Sequence, residues 1–290
     1  MKHWKRSLSL LLAGAMVLSL AACGKKGDEE VKGSAAPGGN DPASAVTYRM
    51  LYASEVETMN YLTTTTFENL RIPANVVDTL IEYDRYGVAQ PSLAEKWESN
   101  ADASEWTFHI RKGVKWVDKT GAEVAEVKAQ DWVDAAYYIL DANNDSGSEY
   151  NWDVAQVTNA HNYFEYTAYL LKLETATDGV DENGQPAKLD EDGEVIKEVA
   201  PVAKEDIGVK ATDDYTLVFT LDAPCPYFLS MLTYVCFMPA NADFIAEKGD
   251  KFGAADSADN LLYCGAFRIA DFQPQVLHTF VKNDAYWDKD

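Results

Sequence analysis

The sequence is poor in the residues that carry most enzymatic chemistry. Its 290 residues include only four histidines, His3, His109, His161 and His278. None sits at the His-x-x-x-His spacing of a metal-binding helix, and no Cys-x-x-Cys occurs. A Gly-x-x-x-x-Gly-Lys phosphate loop and a Gly-x-Ser-x-Gly nucleophile elbow are also missing. Asp190-Glu191-Asp192-Gly193 hints at a calcium loop, but the position two residues earlier is Lys188, so the EF-hand pattern fails. No motif asks for a metal or cofactor. Positive charge is scarce as well: 25 Lys and Arg stand against 47 Asp and Glu, for a formal charge of −22. That balance opposes nucleic acid as a partner. Beyond the first segment, no apolar run approaches the ~18 residues that a membrane-spanning helix needs. These absences place a binding role ahead of catalysis.

A charged N-terminus is followed by an apolar stretch. Lys2, Lys5 and Arg6 precede a run from Leu8 to Leu20. As a helix this run would span roughly 20 Å, short of the ~30 Å hydrocarbon core, so an export signal fits better than a transmembrane helix. Leu20-Ala21-Ala22-Cys23 resembles the lipobox of bacterial lipoproteins. That resemblance implies cleavage after residue 22 and a diacylglycerol on the Cys23 thiol. Residues 23–46 are rich in Gly, Ser, Ala, Pro and charge, and read as a flexible linker. Residues 1–22 would be the signal peptide, and 47–290 the body. The implied location is the extracellular face of the cell membrane, or the periplasm, with the lipid as membrane anchor.

The body has enough apolar residues for a core, at 47% of the chain. Tyr48–Ala53 reads as a strand, and Leu70–Tyr83 as an amphipathic helix with Pro73 in its first turn. Trp106, Phe108 and Ile110 alternate with Thr107, His109 and Arg111, the pattern of a half-buried strand. Gln130–Asp141 has helical spacing, and Tyr215–Leu221 alternates as another strand. Asp178–Val199 is acidic and contains the turn dipeptides Asn183-Gly184 and Asp192-Gly193, so it reads as a surface excursion. Phe228–Phe237 reads as core. Cys225, Cys236 and Cys264 read as buried thiols, with one bridge among them left open.

Several stretches then form an ordered set. Pro91–Glu98 (PSLAEKWE), Glu105–Trp116 (EWTFHIRKGVKW) and Ala129–Val133 (AQDWV) come first. Asp206–Leu221, Ala223–Phe228 (APCPYF), Cys264–Phe267 (CGAF) and Lys282–Asp288 (KNDAYWD) follow in order. Together they resemble the extracellular solute-binding proteins of family 5, the oligopeptide- and dipeptide-binding lipoproteins of ABC importers. The resemblance covers residues 47–290. Two departures stand out: a longer turn at Asp118-Lys119-Thr120-Gly121, and the acidic excursion, which looks inserted.

The resemblance implies an α/β fold: a periplasmic-binding-protein-like type II lobe with an inserted family-5 subdomain at about 78–206. The family continues well past the length seen here, so the second lobe is expected to be missing and the chain to be the N-terminal portion. It implies capture of oligopeptides or dipeptides, with ABC permease and ATPase subunits as partners. A peptide would lie extended along a strand edge. By alignment that edge falls on Thr64, Thr65, Thr66 and Phe67, although the residues alone fit a Thr-rich surface loop equally well. The group that holds the peptide amino terminus belongs to the missing lobe, so no residue is assigned to it. Trp97, Trp106, Trp116, Trp132, Tyr227 and Trp287 read as core. Tyr150, Trp152, Tyr163 and Tyr166 read as packing before cleft lining. The competing functions are a secreted lipoprotein hydrolase and a truncated fragment that does not bind.

Overall fold

The computed structural model describes residues 47–289. The expected signal segment, Cys23 and the expected linker to Val46 lie outside the described residues. Tyr52–Asp290 makes one compact unit. Residues 47–52 carry no strand, and Tyr48, Met50 and Leu51 are exposed. The strand expected at 48–53 is therefore not formed: alternation gives a propensity, and a strand exists only within a ladder.

Helices α1 (Phe67–Leu70) and α2 (Pro73–Val76) are single turns, and Pro73 opens α2. Val77 is already extended, at φ −130° and ψ 129°. The chain then runs into β1 (Ile81–Tyr83), paired with β2 (Ala89–Pro91). The helix expected over 70–83 is thus two turns and a strand. Val76, Val77, Thr79 and Ile81 are β-branched and stiff at χ1. Leu80 and Ile81, adjacent in sequence, are both fully buried, which one helix face and an extended crossing accommodate equally well.

The central sheet contains β3 (Ala94–Ser99), β4 (Glu105–Ile110), β9 (Val209–Asp213) and β10 (Thr216–Thr220), in the order β3-β4-β10-β9. Every pairing is antiparallel. Phe108 opposes Leu217 and Trp106 opposes Phe219, so the buried residues of the two middle strands share one face. Phe219 meets Phe108 edge-on at 5.9 Å and Phe228 at 5.2 Å. Each such ring contributes about 2 kcal/mol of burial. The outer strand β3 carries Glu95, Lys96 and Glu98, charges that blunt its open edge.

Between these halves lie β5 (Lys115–Val117) and β6 (Glu123–Glu126), α3 (Gln130–Ile139), α4 (Glu149–Val154), α5 (Ala160–Thr175), and β7 (Thr177–Val180) with β8 (Pro186–Leu189). α6 (Phe228–Met231), α7 (Ala242–Lys248) and the hairpin of β11 (Phe267–Gln273) and β12 (Leu277–Lys282) complete the unit. The helix expected at 130–141 and the strand at 215–221 are present with slightly shorter ends. Four turns share one sequence pattern, Asp-x-x-Gly, starting at Asp84, Asp118, Asp181 and Asp190. In each, the Asp carboxylate accepts the backbone N–H groups two and four residues on. The glycines Gly87, Gly121, Gly184 and Gly193 all have φ between 74° and 88°, which L side chains adopt only with strain.

The tryptophans expected in the core are buried or packed against it, and most anchor through the indole N–H. Trp116 donates to Asp131 Oδ2 at 2.8 Å, Trp132 to the Phe237 carbonyl at 3.0 Å and Trp287 to Asp78 Oδ2 at 2.9 Å. Tyr227 differs: it is 50% exposed, and its hydroxyl donates to the Val154 carbonyl. It sits just before α6, where Phe228 takes the buried position. Cys225, Cys236 and Cys264 are free and buried, so the bridge left open is not made.

Candidate functional site

The segment Asn60–Leu70 is held from within by amides. The Asn60 carbonyl accepts the N–H groups of Thr63 and Thr64, and its side-chain oxygen accepts that of Leu62. Asn60 Nδ2 donates to the Tyr138 hydroxyl at 3.1 Å, tying the segment to α3. Asn69, 2% exposed, accepts the Glu57 N–H at 2.9 Å and donates to Thr64 Oγ1 at 3.0 Å. That hydroxyl in turn accepts the Thr66 N–H at 3.3 Å.

A second stretch runs beside the first. Ser146 Oγ donates to the Leu62 carbonyl at 2.8 Å, and the Gly147 N–H donates to the Thr63 carbonyl at 3.0 Å. A Cβ on Gly147 would stand 3.3 Å from Thr65 Cγ2, so the glycine permits close approach. These anchors stop short of the middle of the segment. The Thr65 N–H and the carbonyls of Thr64 and Thr65 have no hydrogen-bond partner among the described residues. Thr66 is extended, at φ −75° and ψ 125°. Thr65, Thr66 and Phe67 are exposed, and Phe67 reaches 73%. The result is a backbone edge with one open donor and two open acceptors, stiffened on both sides and flanked by an aromatic ring.

The four predicted site residues Thr64, Thr65, Thr66 and Phe67 therefore lie together, with Thr64 as anchor and the other three facing out. Asn60, Asn69, Ser146 and Gly147, which fix the edge, carry no periodic signal in the sequence. Tyr150 is 60% exposed, Trp152 is buried, and Tyr163 and Tyr166 are half-buried.

The titratable groups elsewhere serve packing. Burial pushes the Asp131 carboxyl up to about 7, opposed by hydrogen bonds from Trp116 and the Lys128 N–H. Asp78 rises to about 6, again through burial, opposed by Trp287 and Tyr286. Burial lifts the Cys236 thiol to about 12 and Cys264 well above its usual value, which disfavours thiolate chemistry at both. His278 is stacked between Tyr52 and Phe272 and shifted down by desolvation. Among the described residues, no group of three or more His, Cys, Asp or Glu is placed to hold a metal ion.

Comparisons with known proteins show the family and the fold. Residues 88–290 match the bacterial extracellular solute-binding proteins, family 5 Middle. The chain is 32% identical over 289 residues to the oligopeptide-binding protein AliA of Streptococcus pneumoniae, covering 99% of this chain and 36% of that protein. It is 27% identical over 281 residues to the periplasmic oligopeptide-binding protein OppA of Salmonella typhimurium, covering 97% and 42%. Among solved structures, the substrate-binding domain of an oligopeptide ABC transporter from Bacillus anthracis superposes with a TM-score of 0.63 at 27% identity, over 81% of this chain and 37% of that one. Listeria monocytogenes OppA bound to peptide shares the fold, with a TM-score of 0.62 at 24% identity, over 81% and 38%. The chain spans about a third of the length of the curated relatives that it matches first, and its fold is part of the α/β periplasmic-binding-protein fold. The chain belongs to the bacterial extracellular solute-binding proteins of family 5.

Proposed function

We propose that this chain contributes the peptide-docking edge of a receptor that captures oligopeptides or dipeptides for an ABC importer, and that it binds without chemistry. The observation that carries this reading is the unpaired Thr65 N–H with the unpaired carbonyls of Thr64 and Thr65, beside exposed Phe67. An extended peptide pairs with such an edge through main-chain groups that every sequence possesses, which gives affinity without demanding particular side chains. The permease and ATPase subunits are the partners of the assembled importer.

In the same reading, residues 1–22 direct export, Cys23 carries the lipid and residues 23–46 set the reach from the membrane. Residues 47–290 form the N-terminal part of the solute-binding domain. The central sheet joins β3 and β4 to β9 and β10, which favours carrying the inserted subdomain from about 78 through Leu221 instead of ending it near 206.

Calorimetry with mixed short peptides tests the function, with Thr65→Pro as the decisive variant. Proline removes the Thr65 N–H, which makes no internal bond. Peptide affinity is expected to fall about tenfold, the loss of one main-chain hydrogen bond, with urea stability unchanged. Equal affinity in both proteins would refute the edge, and turnover of the peptides would refute a pure binding role.

A further inference from the structure

The β11–β12 hairpin has a held base and a projecting tip. At the base, Ile269 is fully buried and the Arg268 guanidinium donates to the Lys119 carbonyl. The pairing register shifts between Ile269 and Asp271, which leaves Ala270 as a bulge where the hairpin can bend. Beyond the bulge, residues 273–277 are exposed, while Phe272 and the His278 side chain are each 7% exposed. Their rings stack across the two strands at 4.1 Å and 8°. Tyr52 stacks on His278 in turn, at 5.1 Å and 14°. The imidazole is packed on rings and not bonded: its Nε2 is shielded from solvent and has no hydrogen-bond partner among the described residues. Glu55 Oε1 stands 3.8 Å away, beyond hydrogen-bond reach, and already accepts the Val56 N–H at 3.2 Å. Tyr52 and Glu55 are the titratable groups that face the ring from the segment before Val56. On β11, Asp271 precedes Phe272, so alternation turns its carboxylate to the opposite face, where Gln273 Nε2 donates to it. The flanking β12 residues Leu277 and Thr279 carry no charge.

We propose that His278 is an acid-sensitive latch: its neutral ring pins the hairpin tip against Tyr52, and protonation releases the tip about the Ala270 bulge. This inference stands apart from the peptide-docking edge. An imidazolium within the stack has no hydrogen-bonded partner, whereas a released tip offers it water. Desolvation holds His278 below its ordinary value and outweighs the upward pull of Glu55. A ring whose value falls on docking stabilises the docked tip fully above pH ~6.5, and that stability is lost as pH falls toward the lowered value.

The test is amide hydrogen exchange of the full chain between about pH 7.5 and pH 5, corrected for the intrinsic pH dependence of exchange. The wild type is expected to lose protection at residues 271–279 at the acid end and to keep it at the base, residues 267–269 and 280–282. His278→Phe retains a three-ring stack without a titrating nitrogen, so its tip should be equally protected at both ends. Glu55→Gln removes the one charge that favours the protonated ring, and should enlarge the acid loss. In the wild type, the His278 ring followed by NMR should titrate with the same midpoint as the tip's loss of protection, a comparison that needs no variant. Unchanged tip protection in the wild type overturns the latch, as does an acid loss that persists in His278→Phe. Tip and base loosening together, or differing midpoints for ring and tip, overturn it too. Greater protection at pH 5, the outcome if cation–π attraction to the two rings dominates, reverses the sign and overturns it as well.

Discussion

Asp131→Asn tests the buried polar chemistry of the fold most directly. Asp131 is 7% exposed, and a single oxygen, Oδ2, accepts from both Trp116 Nε1 at 2.8 Å and the Lys128 N–H at 3.1 Å. Asparagine keeps one oxygen to accept both bonds, loses the charge and places an NH2 group where Oδ1 stands. Burial raises the folded carboxyl from 3.8 to about 7, so the fold prefers the protonated acid. The penalty is absent below the unfolded value near 4, grows as pH rises toward 7 and is complete above it. A rise of this size corresponds to about 4 kcal/mol. Urea unfolding of both proteins from pH 4 to pH 8 reads it out. The variant should match the wild type at pH 4 and exceed it at pH 8 by up to about 4 kcal/mol. Parallel stability curves, or a variant equally weakened at both ends, would refute the reasoning.

Two further perturbations act on backbone geometry. Gly253 has φ +68°, and a Cβ there would stand 2.3 Å from the Asn60 N and 2.4 Å from its Cα. Gly253→Ala should therefore cost about 3 kcal/mol or more, seen as a lower urea midpoint, and should displace the Asn60 segment that supports the edge. Asp118 is held below the usual carboxylate range first by the Thr120 side chain and then by backbone N–H groups of the same turn. Its contribution is present above pH ~4 and is lost as pH falls through its lowered value. Asp118→Asn should remove that acid dependence, with faster amide exchange in β5 and β6 at pH 7 as the measurement.

The parts of this fold written in single strands were readable; the parts written in pairs were not. Trp106, Phe108 and Ile110 alternate in sequence because one sheet face is buried, and the same holds for Leu217 and Phe219. Leu70–Tyr83 misled because its apolar spacing fits a helix while its β-branched residues fit an extended path, and the double burial of Leu80 and Ile81 fits both. Residue spacing cannot decide between these; the docking of residues 79 and 80 onto Leu93 and Ala94 does. Two of the four Asp-x-x-Gly turns show as Asn183-Gly184 and Asp192-Gly193 and one as the longer turn at Asp118–Gly121, although the carboxylate at the first position recurs in all four. Within the edge, Thr64–Phe67 came from family resemblance. Asn69 and Gly147 could not be found that way, because an asparagine twelve residues after Glu57 and a glycine eighty-four after Thr63 acquire their roles only when the chain is folded.

The same pairing logic accounts for two family motifs and yields a final test. Trp116, ending the EWTFHIRKGVKW stretch, is held by Asp131 of AQDWV. Trp287, within KNDAYWD, donates to Asp78 and lies under the Arg111 guanidinium at 3.9 Å. These two motif tryptophans thus turn their only polar atom toward a desolvated acid. If the indole N–H stabilises the ionised form of Asp78, then Trp287→Phe should hurt more where that acid is charged. Desolvation lifts Asp78 to about 6, so the acid is neutral at pH 4 and ionised at pH 8. A double-mutant cycle of Trp287→Phe with Asp78→Asn should show a coupling of about 1–3 kcal/mol at pH 8 that shrinks at pH 4. A pH-independent coupling would mean that the ring's packing under Arg111, and not its N–H, is what the motif preserves.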